Sequence, residues 1–586
     1  YVDVRLLYMS NTLVIRIAGT AGEGVLSAGN MLNLAMKRAG RHTMLFQSYG
    51  AEVRGDGPSM AQVRVSDSPV LSQGDDVDIL IALNQDAVSL NLSEIRKGGL
   101  VIYDGQPLDT FGSQKTFTPS LPVGVRGISV PLASISYQKL NSLVSKNLVA
   151  LGAFSAVSGL PFEIIADIVK ARFGEKSLSA LKMGHDHVTE MASITGFKLE
   201  MRNALQDMLI LSGNQAVSMG AIVAGVKVFA GYPITPATDI MEFLAAELPK
   251  VGGRVIQTED EISAVCTVLG TSFAGSKAMT ATSGPGLSLM VEGIGLASMA
   301  EVPAVIVDVQ RAGPSTGMPT KTEQSDLNIA IFGSHGDSPR IVLAPSTVEE
   351  CFYLTIEAFN IAEACQIPVL ILSDQFLGQR RETVSPFDMS GLKLAQRLKP
   401  DTEELKGYKR YRLTDNGLSP LAVPGMDGGE HAATGLEHRE DGSPSYDPDN
   451  HRAMTAKRWK KLELAKLDSV KPVRFGAADA LVGVIGWGST EGAAREAVSK
   501  ANEAGLKVAA LYPKLLNPLH TDIIEAFVRP LKKVVVVENN YSGQFTAVLR
   551  SHGIFCEFFT LCEGRPFKVD EILKRIEEAI NSRLPI

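Results

Sequence analysis

The sequence predicts an α/β protein of several domains, and three observations carry that reading. Short apolar runs rich in Val, Ile and Ala recur along the chain and read as buried strands. Each leads through a loop rich in Gly, Ser, Thr or Pro into a helical pattern, the strand–loop–helix succession of a parallel sheet. The chain has 586 residues, 45% apolar and 21% charged. That composition is ordinary for a globular protein, and the length allows roughly four domains.

Composition also excludes some classes. A net charge of −7 argues against nucleic acid or an anionic membrane surface as partner. No apolar run reaches the length of a membrane span of about 18 residues, and the N-terminal stretch lacks a signal-peptide layout. A cytoplasmic protein is expected. The five cysteines, Cys266, Cys351, Cys365, Cys556 and Cys562, include no C-x-x-C and no cluster with histidine. Neither a zinc site nor an internal four-cysteine cluster is expected, and all five read as reduced core thiols.

Four segments follow in order: 1–200, 205–380, 381–478 and 479–586. In the first, strands are expected at Leu13–Ile17, Thr43–Phe46, Met60–Val65, Ile79–Ala82 and Leu100–Tyr103. Between the first two, Gly19–Leu32 is a glycine-rich turn into a helix. It reads G-x-x-G-x-G, so it fails as a dinucleotide fingerprint. Either it is a tight turn packing helix on sheet, or amides near Gly22 and Gly24 hold a phosphate. Gly55–Gly57 spells GDG, but in a polar loop with no preceding apolar strand, and reads as a turn. His185 and His187 stand at i and i+2, on different faces of a helix, and read as solvated.

In the second segment, the apolar run Val226–Ala230 leads into GYPITPAT (231–238), with Thr235 in N-cap position and Pro236 at the first helical position. Strand Arg254–Gln257 leads into Glu259, Asp260 and Glu261 at a helix start. Strand Ala278–Thr282 leads into SGPG (283–286). Strand Ala304–Val309 leads into QRAGPSTGMPTKTEQSDL (310–327). Late strands at Ile341–Leu343 and Val369–Leu372 flank the helix Cys351–Ala364. Loops at the carboxyl ends of such strands gather around a ligand crevice. On residues alone, the three acids at 259–261 fit a helix N-terminus, and Arg311 fits a surface ion pair as well as a carboxylate clamp.

Residues 381–478 lose strand pattern and read as a polar, turn-rich linker or insertion. Within it, 435–451 holds two histidines and five carboxylates, read as a connection rather than a metal site. Lys457–Lys466 reads as a solvated basic helix face. The last segment returns to α/β pattern, with strands at Val482–Gly486, Lys507–Leu511 and Val534–Glu538.

GYPITPAT, QTEDEISA, ATSGPG and QRAGPSTGMPT occur in one order, and together they resemble the pyrimidine-type domain of thiamine-diphosphate-dependent 2-oxoacid:ferredoxin oxidoreductases, in their α subunit. GTAGEGV with QSYGAEVRGD (47–56) resembles the γ domain of the same enzymes, here fused ahead of α. GWGSTEGAAREAV, LYPKLLNPL and VVVVENNYSGQF resemble their transketolase C-terminal-type domain. The resemblance implies oxidative decarboxylation of a 2-oxoacid to an acyl-CoA with reduction of ferredoxin, reversible towards CO₂ fixation. It implies Glu259 as the catalytic acid on the aminopyrimidine ring, and Thr235, Arg311 and Thr320 as substrate contacts. Gly22 and Gly24 are candidates for CoA. A GDG after an apolar strand, followed at the family's spacing by the Asn pair that would help hold Mg²⁺ and diphosphate, is missing, as is any cluster-binding cysteine set. A β subunit is therefore expected to bring both, with at least one [4Fe–4S] cluster, in an (αβ)₂ assembly. Fused γ–α chains and the 435–449 segment point to 2-oxoglutarate and succinyl-CoA. Other 2-oxoacids, a transketolase-like or lipoyl-linked enzyme, and a non-catalytic assembly subunit are the alternatives.

Overall fold

The computed structural model describes residues 12–50, 57–108, 113–142, 145–191, 199–203 and 205–581. Gly55 and Asp56 of the GDG triplet, and most of 47–56, lie outside them. The chain divides into two units, one of residues 1–211 with 380–386, the other of 212–379 with 387–586.

The first unit is built on an eight-stranded sheet. Its parallel half orders the strands Arg126–Val130, Ile95–Asp104, Val77–Ala82 and Thr12–Thr20. Antiparallel strands Pro58–Ser66 and His42–Ser48 extend it. Arg381–Val384 then pairs antiparallel with His42–Ser48, so part of the expected linker is a strand of this sheet. The helices Val25–Arg38 and Lys146–Ser158 pack on it around Ile15, Leu32, Ile81 and Phe154, all fully buried. His185 and His187 are not solvated: each is half-buried. Nδ1 of His185 lies 3.1 Å from the Ser155 hydroxyl, and Nε2 of His187 lies 3.3 Å from the Ser129 carbonyl. Both turn towards neighbouring elements that the local pattern does not reveal.

The second unit carries two sheets. The larger orders Leu515–Asn517, Ile341–Leu343, Pro368–Asp374, Ala304–Gln310, Ala278–Thr282, Val228–Gly231 and Arg254–Gln257. All neighbours are parallel except the first strand, which runs antiparallel to Ile341–Leu343. That first strand is donated by the C-terminal segment. The smaller sheet orders Val473–Gly476, Val508–Tyr512, Val482–Gly486, Lys533–Glu538 and Glu557–Thr560. Central strands such as Ala304–Gln310 are buried along their whole length, as expected when helices cover both faces of a parallel sheet.

Between these sheets, 387–472 is mostly irregular but tightly packed. Arg410 and Tyr411 are fully buried. Lys457 and Lys461 are not a solvated face: both are buried, and both ammonium groups donate to the carboxylate of Glu301, Lys457 at 2.7 Å. Arg410 donates to the Glu301 carbonyl at 2.7 Å. The helical spacing of the lysines was legible, but the distant carboxylate that buries them was not. In 435–451, Glu437 accepts from Arg458 at 2.8 Å and pairs with Nδ1 of His451 at 2.6 Å. Of the cysteines, Cys351, Cys365 and Cys556 are core thiols, whereas Cys266 and Cys562 are exposed.

Candidate functional site

The loops expected to gather do so at the carboxyl ends of four adjacent strands, Ala304–Gln310, Ala278–Thr282, Val228–Gly231 and Arg254–Gln257. The loop after Gly231 departs from its expected form. The helix starts at Thr238 with Ala237 as N-cap, so Thr235 does not cap it and Pro236 is not its first residue. The Thr235–Pro236 peptide is cis. The carbonyl of Ile234 accepts from the amides of Ala237 at 2.8 Å and Thr238 at 3.0 Å, and Asn214 Nδ2 donates to the Pro236 carbonyl at 2.9 Å. Turn and tertiary bonds take the place of the side-chain cap.

That turn offers the Thr235 carbonyl to Arg311, whose Nη1 donates to it at 2.7 Å. Arg311 is only 7% exposed. Its loop closes on itself through Ala312 N–H to the Lys321 carbonyl and Met318 N–H to the Ala312 carbonyl, both 2.9 Å. Thr320, also buried, thereby returns beside the foot of the arginine. Gln310 locks the base: its Nε2 donates to the Ser373 carbonyl at 2.9 Å and its Oε1 accepts from the Asp326 amide at 3.1 Å. Burial lowers the affinity of the Arg311 guanidinium for its proton, and the charges of Asp326 and Asp308 oppose that.

The three acids after Arg254–Gln257 have separate fates. Asp260 is the N-cap and accepts from the Ser263 amide at 2.7 Å. Glu261 is buried against Gly286, where a Cβ would come within 2.5 Å of its Oε1. Glu259 is exposed, and among the described residues no group bonds its carboxylate. An acid left available at a strand end, after its neighbours have taken the structural work, fits a hydrogen bond to a ring nitrogen. Exposed apolar side chains stand in these loops (Tyr232, Met318), in the strand before Glu259 (Ile256) and on the helices that follow (Ile262, Leu289).

Gly22 and Gly24 lie in the first unit, both with left-handed φ, and Gly24 is the N-cap of Val25–Arg38. Glu23 folds back to accept from the Thr20 amide and from Asn84 Nδ2, each at 2.7 Å, and pairs with Lys146. The turn thus carries a carboxylate of its own. A Cβ on Gly22 would meet nothing within 4 Å, so that side of the turn is open.

Sequence reasoning passed over Asp308 and Asp326. The available signal was a lone acid within the apolar strand AVIVDVQ.

A family model described as pyruvate flavodoxin/ferredoxin oxidoreductase, thiamine diP-binding, matches residues 219–457, and one described as pyruvate ferredoxin/flavodoxin oxidoreductase matches 14–188. The 2-oxoglutarate oxidoreductase subunit KorA of Mycobacterium tuberculosis is 33% identical across 98% of this chain and 92% of its own. The chain belongs to the 2-oxoacid:ferredoxin oxidoreductases. It is an α subunit of that family, with the γ-type part fused at its N-terminal side and a thiamine-diphosphate-binding domain in the second unit. The 2-oxoglutarate synthase subunit KorA of Methanocaldococcus jannaschii is 43% identical over 58% of this chain and 90% of its own. Among solved structures, 2-oxoglutarate:ferredoxin oxidoreductase from Magnetococcus marinus, with 2-oxoglutarate, coenzyme A and succinyl-CoA bound, matches with a TM-score of 0.91 at 40% identity. That match covers 98% of this chain and all of the other. Among the described residues no helix is long and apolar enough to cross a membrane.

Proposed function

We propose that this oxidoreductase subunit acts on 2-oxoglutarate, forming succinyl-CoA and passing electrons to ferredoxin. The observation that carries the site assignment is the buried Arg311 fork beside Thr235 and Thr320, on the same strand ends as the unengaged acid Glu259. The 2-oxoglutarate relatives and the ligands of the Magnetococcus marinus enzyme support the choice of substrate.

When bound, thiamine diphosphate supplies the carbon nucleophile and electron sink that loss of CO₂ needs. Glu259 hydrogen-bonds its aminopyrimidine ring and manages a proton there. Arg311 and the hydroxyls of Thr235 and Thr320 orient the substrate's C1 carboxylate without covalent attachment. One guanidinium with two neutral hydroxyls holds the leaving group without gripping it too hard, since only binding that strengthens in the transition state speeds the step. Gly22 and Gly24 lie at the CoA site, where a phosphate group competes with Glu23 for Lys146 and the Thr20 amide.

The rest of the cofactor site comes from a β subunit. The exposed apolar side chains at these strand ends are the kind of surface a partner covers. That subunit brings the diphosphate and Mg²⁺ site and a [4Fe–4S] cluster, in an (αβ)₂ complex of the cytoplasm. The test is a 2-oxoacid panel on the reconstituted complex, following ferredoxin reduction and iron content. Highest kcat/KM for 2-oxoglutarate is expected. Turnover of other 2-oxoacids with none of 2-oxoglutarate would reject the substrate assignment.

A further inference from the structure

Two motifs of the C-terminal segment, GWGST (486–490) and ENNYSGQF (538–545), have no part in the function just described. Both meet the loop that carries Arg311 and Thr320. That loop leaves the sheet at Gln310, exposes its tip at 313–318 and returns through buried Thr320, Thr322, Glu323 and Gln324. Gln324 is fully buried and is held by both its backbone and its side chain. Its amide donates to the Asn539 carbonyl at 2.6 Å, and its carbonyl accepts from Asn540 Nδ2 at 3.1 Å. Its Oε1 accepts from the Asn539 amide at 3.0 Å, and its Nε2 donates to the Trp487 carbonyl at 2.8 Å. Gly488, with a left-handed φ of 59°, leaves room for this side chain: a Cβ there would stand 2.7 Å from Nε2.

The device repeats just beyond. Gln544 Nε2 donates to the Ser325 carbonyl at 2.7 Å, and its Oε1 accepts from the Asn328 amide at 2.9 Å. Each glutamine stands between one backbone donor and one backbone acceptor, a place that a carboxamide satisfies and that neither an acid nor an amine can. The C-terminal side of this contact is fixed on its own. The fully buried Glu538 carboxylate accepts from the amides of Phe545 at 2.7 Å and Thr546 at 2.9 Å, and from Asn540 Nδ2 at 3.0 Å. Bonds within 538–546 thus set the shape that the loop meets.

The loop's own bonds carry that placement to the clamp. The Ala312 amide closes its base on the Lys321 carbonyl at 2.9 Å, and the Lys321 amide donates to the Met318 carbonyl at 3.0 Å. Arg311 and Thr320 are therefore tied to the returning arm. An arm with an exposed tip, left unheld, samples many conformations. A substrate then binds only the fraction of molecules whose clamp is assembled, and its apparent dissociation constant rises as that fraction falls. Bonds at 324–328 keep the fraction high.

We infer that Gln324 and Gln544 are positioning residues for the 2-oxoacid: through them the C-terminal segment holds the returning arm of the loop, and with it Arg311 and Thr320, in the geometry that receives the substrate. The inference rests on the clamp reading of those two residues. It gives the C-terminal segment a share in substrate binding that acts through the loop. Gln324→Met and Gln544→Met keep the length of each side chain and remove both of its bonds. Each should raise the 2-oxoacid KM roughly tenfold. The change in kcat should be smaller, since a bound substrate draws the loop back into place. KM for CoA, and the rate of thiamine C2 proton exchange without 2-oxoacid, should match wild type, because neither depends on the clamp.

The experiment measures 2-oxoacid kcat and KM, CoA KM, C2 proton exchange and melting curves on the complex with its partner subunit. The proteins are wild type, Gln324→Met, Gln544→Met, Val484→Ala and Arg311→Ala. Val484 is fully buried in the strand Val482–Gly486, so Val484→Ala lowers the melting temperature by loosening the same segment and should leave the 2-oxoacid KM unchanged. A selective rise in that KM for both glutamine variants supports the inference. A wild-type KM in either folded glutamine variant overturns it. Gln544 is only half-buried, and Gln544→Met decides alone if Gln324→Met does not fold. An equal KM rise in Val484→Ala, or a parallel slowing of C2 exchange in the glutamine variants, reduces the effect to general destabilisation and overturns the inference too. If Arg311→Ala impairs 2-oxoacid kinetics while both glutamine variants match wild type, the clamp stands and the positioning role falls. If Arg311→Ala leaves those kinetics intact, both fall.

Discussion

Replacing Glu301 by glutamine tests what residues 387–472 do for the second unit. Glu301 is fully buried and serves Lys457 and Lys461, while Arg410 donates to its carbonyl. Three cations thus surround one carboxylate. They hold Glu301 far below the usual carboxylate range, and burial, added to by the charges of Lys457 and Arg410, pushes Lys461 down to about 7. Glutamine keeps the shape but leaves three buried cations facing one another. Breaking a buried pair by removing one partner costs about 3–5 kcal/mol. In a unit as large as 212–379 with 387–586 that lowers the melting temperature by roughly 4–6 °C. Lys461→Met removes the surplus cation instead and is expected to be neutral or stabilising. The pH dependence has a definite sign. Between about 7 and 10.5 the unfolded chain carries a proton on Lys461 that the folded chain lacks, so this group makes stability rise with pH there. Glu301 acts in the acid range: its contribution is present above the unfolded carboxylate pKa of about 4.5 and is lost as pH falls. Calorimetry of the three proteins from pH 5 to 9.5 is the assay. A Glu301→Gln protein melting within about 1 °C of wild type, or Lys461→Met as damaging as Glu301→Gln, would refute the charge count.

Other outcomes follow from the site. Arg311→Ala should cost about 2–5 kcal/mol in transition-state binding for every 2-oxoacid tested, and Arg311→Lys should recover only part, because a point charge cannot replace the planar fork. Thr235→Val should cost less, about 1–3 kcal/mol for one polar contact left unmade, read as kcat/KM. Glu259→Gln should slow exchange of the thiamine C2 proton while leaving the melting temperature nearly unchanged; equal exchange rates would remove Glu259 from its role. Gly22→Val, strained because its φ of 90° is left-handed, should weaken CoA more than 2-oxoacid binding. The purified chain alone, given thiamine diphosphate and Mg²⁺, should show no turnover.

The parallel core was legible because its strands advertise themselves. Ala278–Thr282 has the same limits in sequence and structure, since buried strands of a parallel sheet are uninterrupted apolar or β-branched runs; Arg254–Gln257, a mostly exposed edge strand, also keeps its limits. The loop 231–238 was misread in detail. Thr followed by Pro fits a cap and first turn, but bonds from Asn214 and the Ile234 carbonyl hold those residues ahead of the helix. No local pattern reports a partner some 20 residues away. The same reason hid the burial of Lys457 and Lys461, which depends on Glu301 more than 150 residues earlier. Within the candidate site, motif order singled out Arg311 and Thr320, but their burial depends on the closure of Ala312 on Lys321, a return of the loop that sequence does not trace.

The strand Leu515–Asn517, borrowed by the larger sheet from the C-terminal segment, has a consequence for how this chain can be cut. It covers the free backbone of Ile341–Leu343, and Asn517 Nδ2 adds a bond to the Arg340 carbonyl at 2.7 Å. Ile341, Val342 and Leu343 are fully buried. A truncated chain ending near residue 478 would expose a fully apolar strand with unpaired amides and carbonyls on one side, a template for edge-to-edge association. Such a fragment should self-associate rather than stay monomeric, and stray strands from other copies would compete for the vacated edge. The C-terminal segment thus acts as a sheet terminator, guarding the thiamine-binding domain against its own kind.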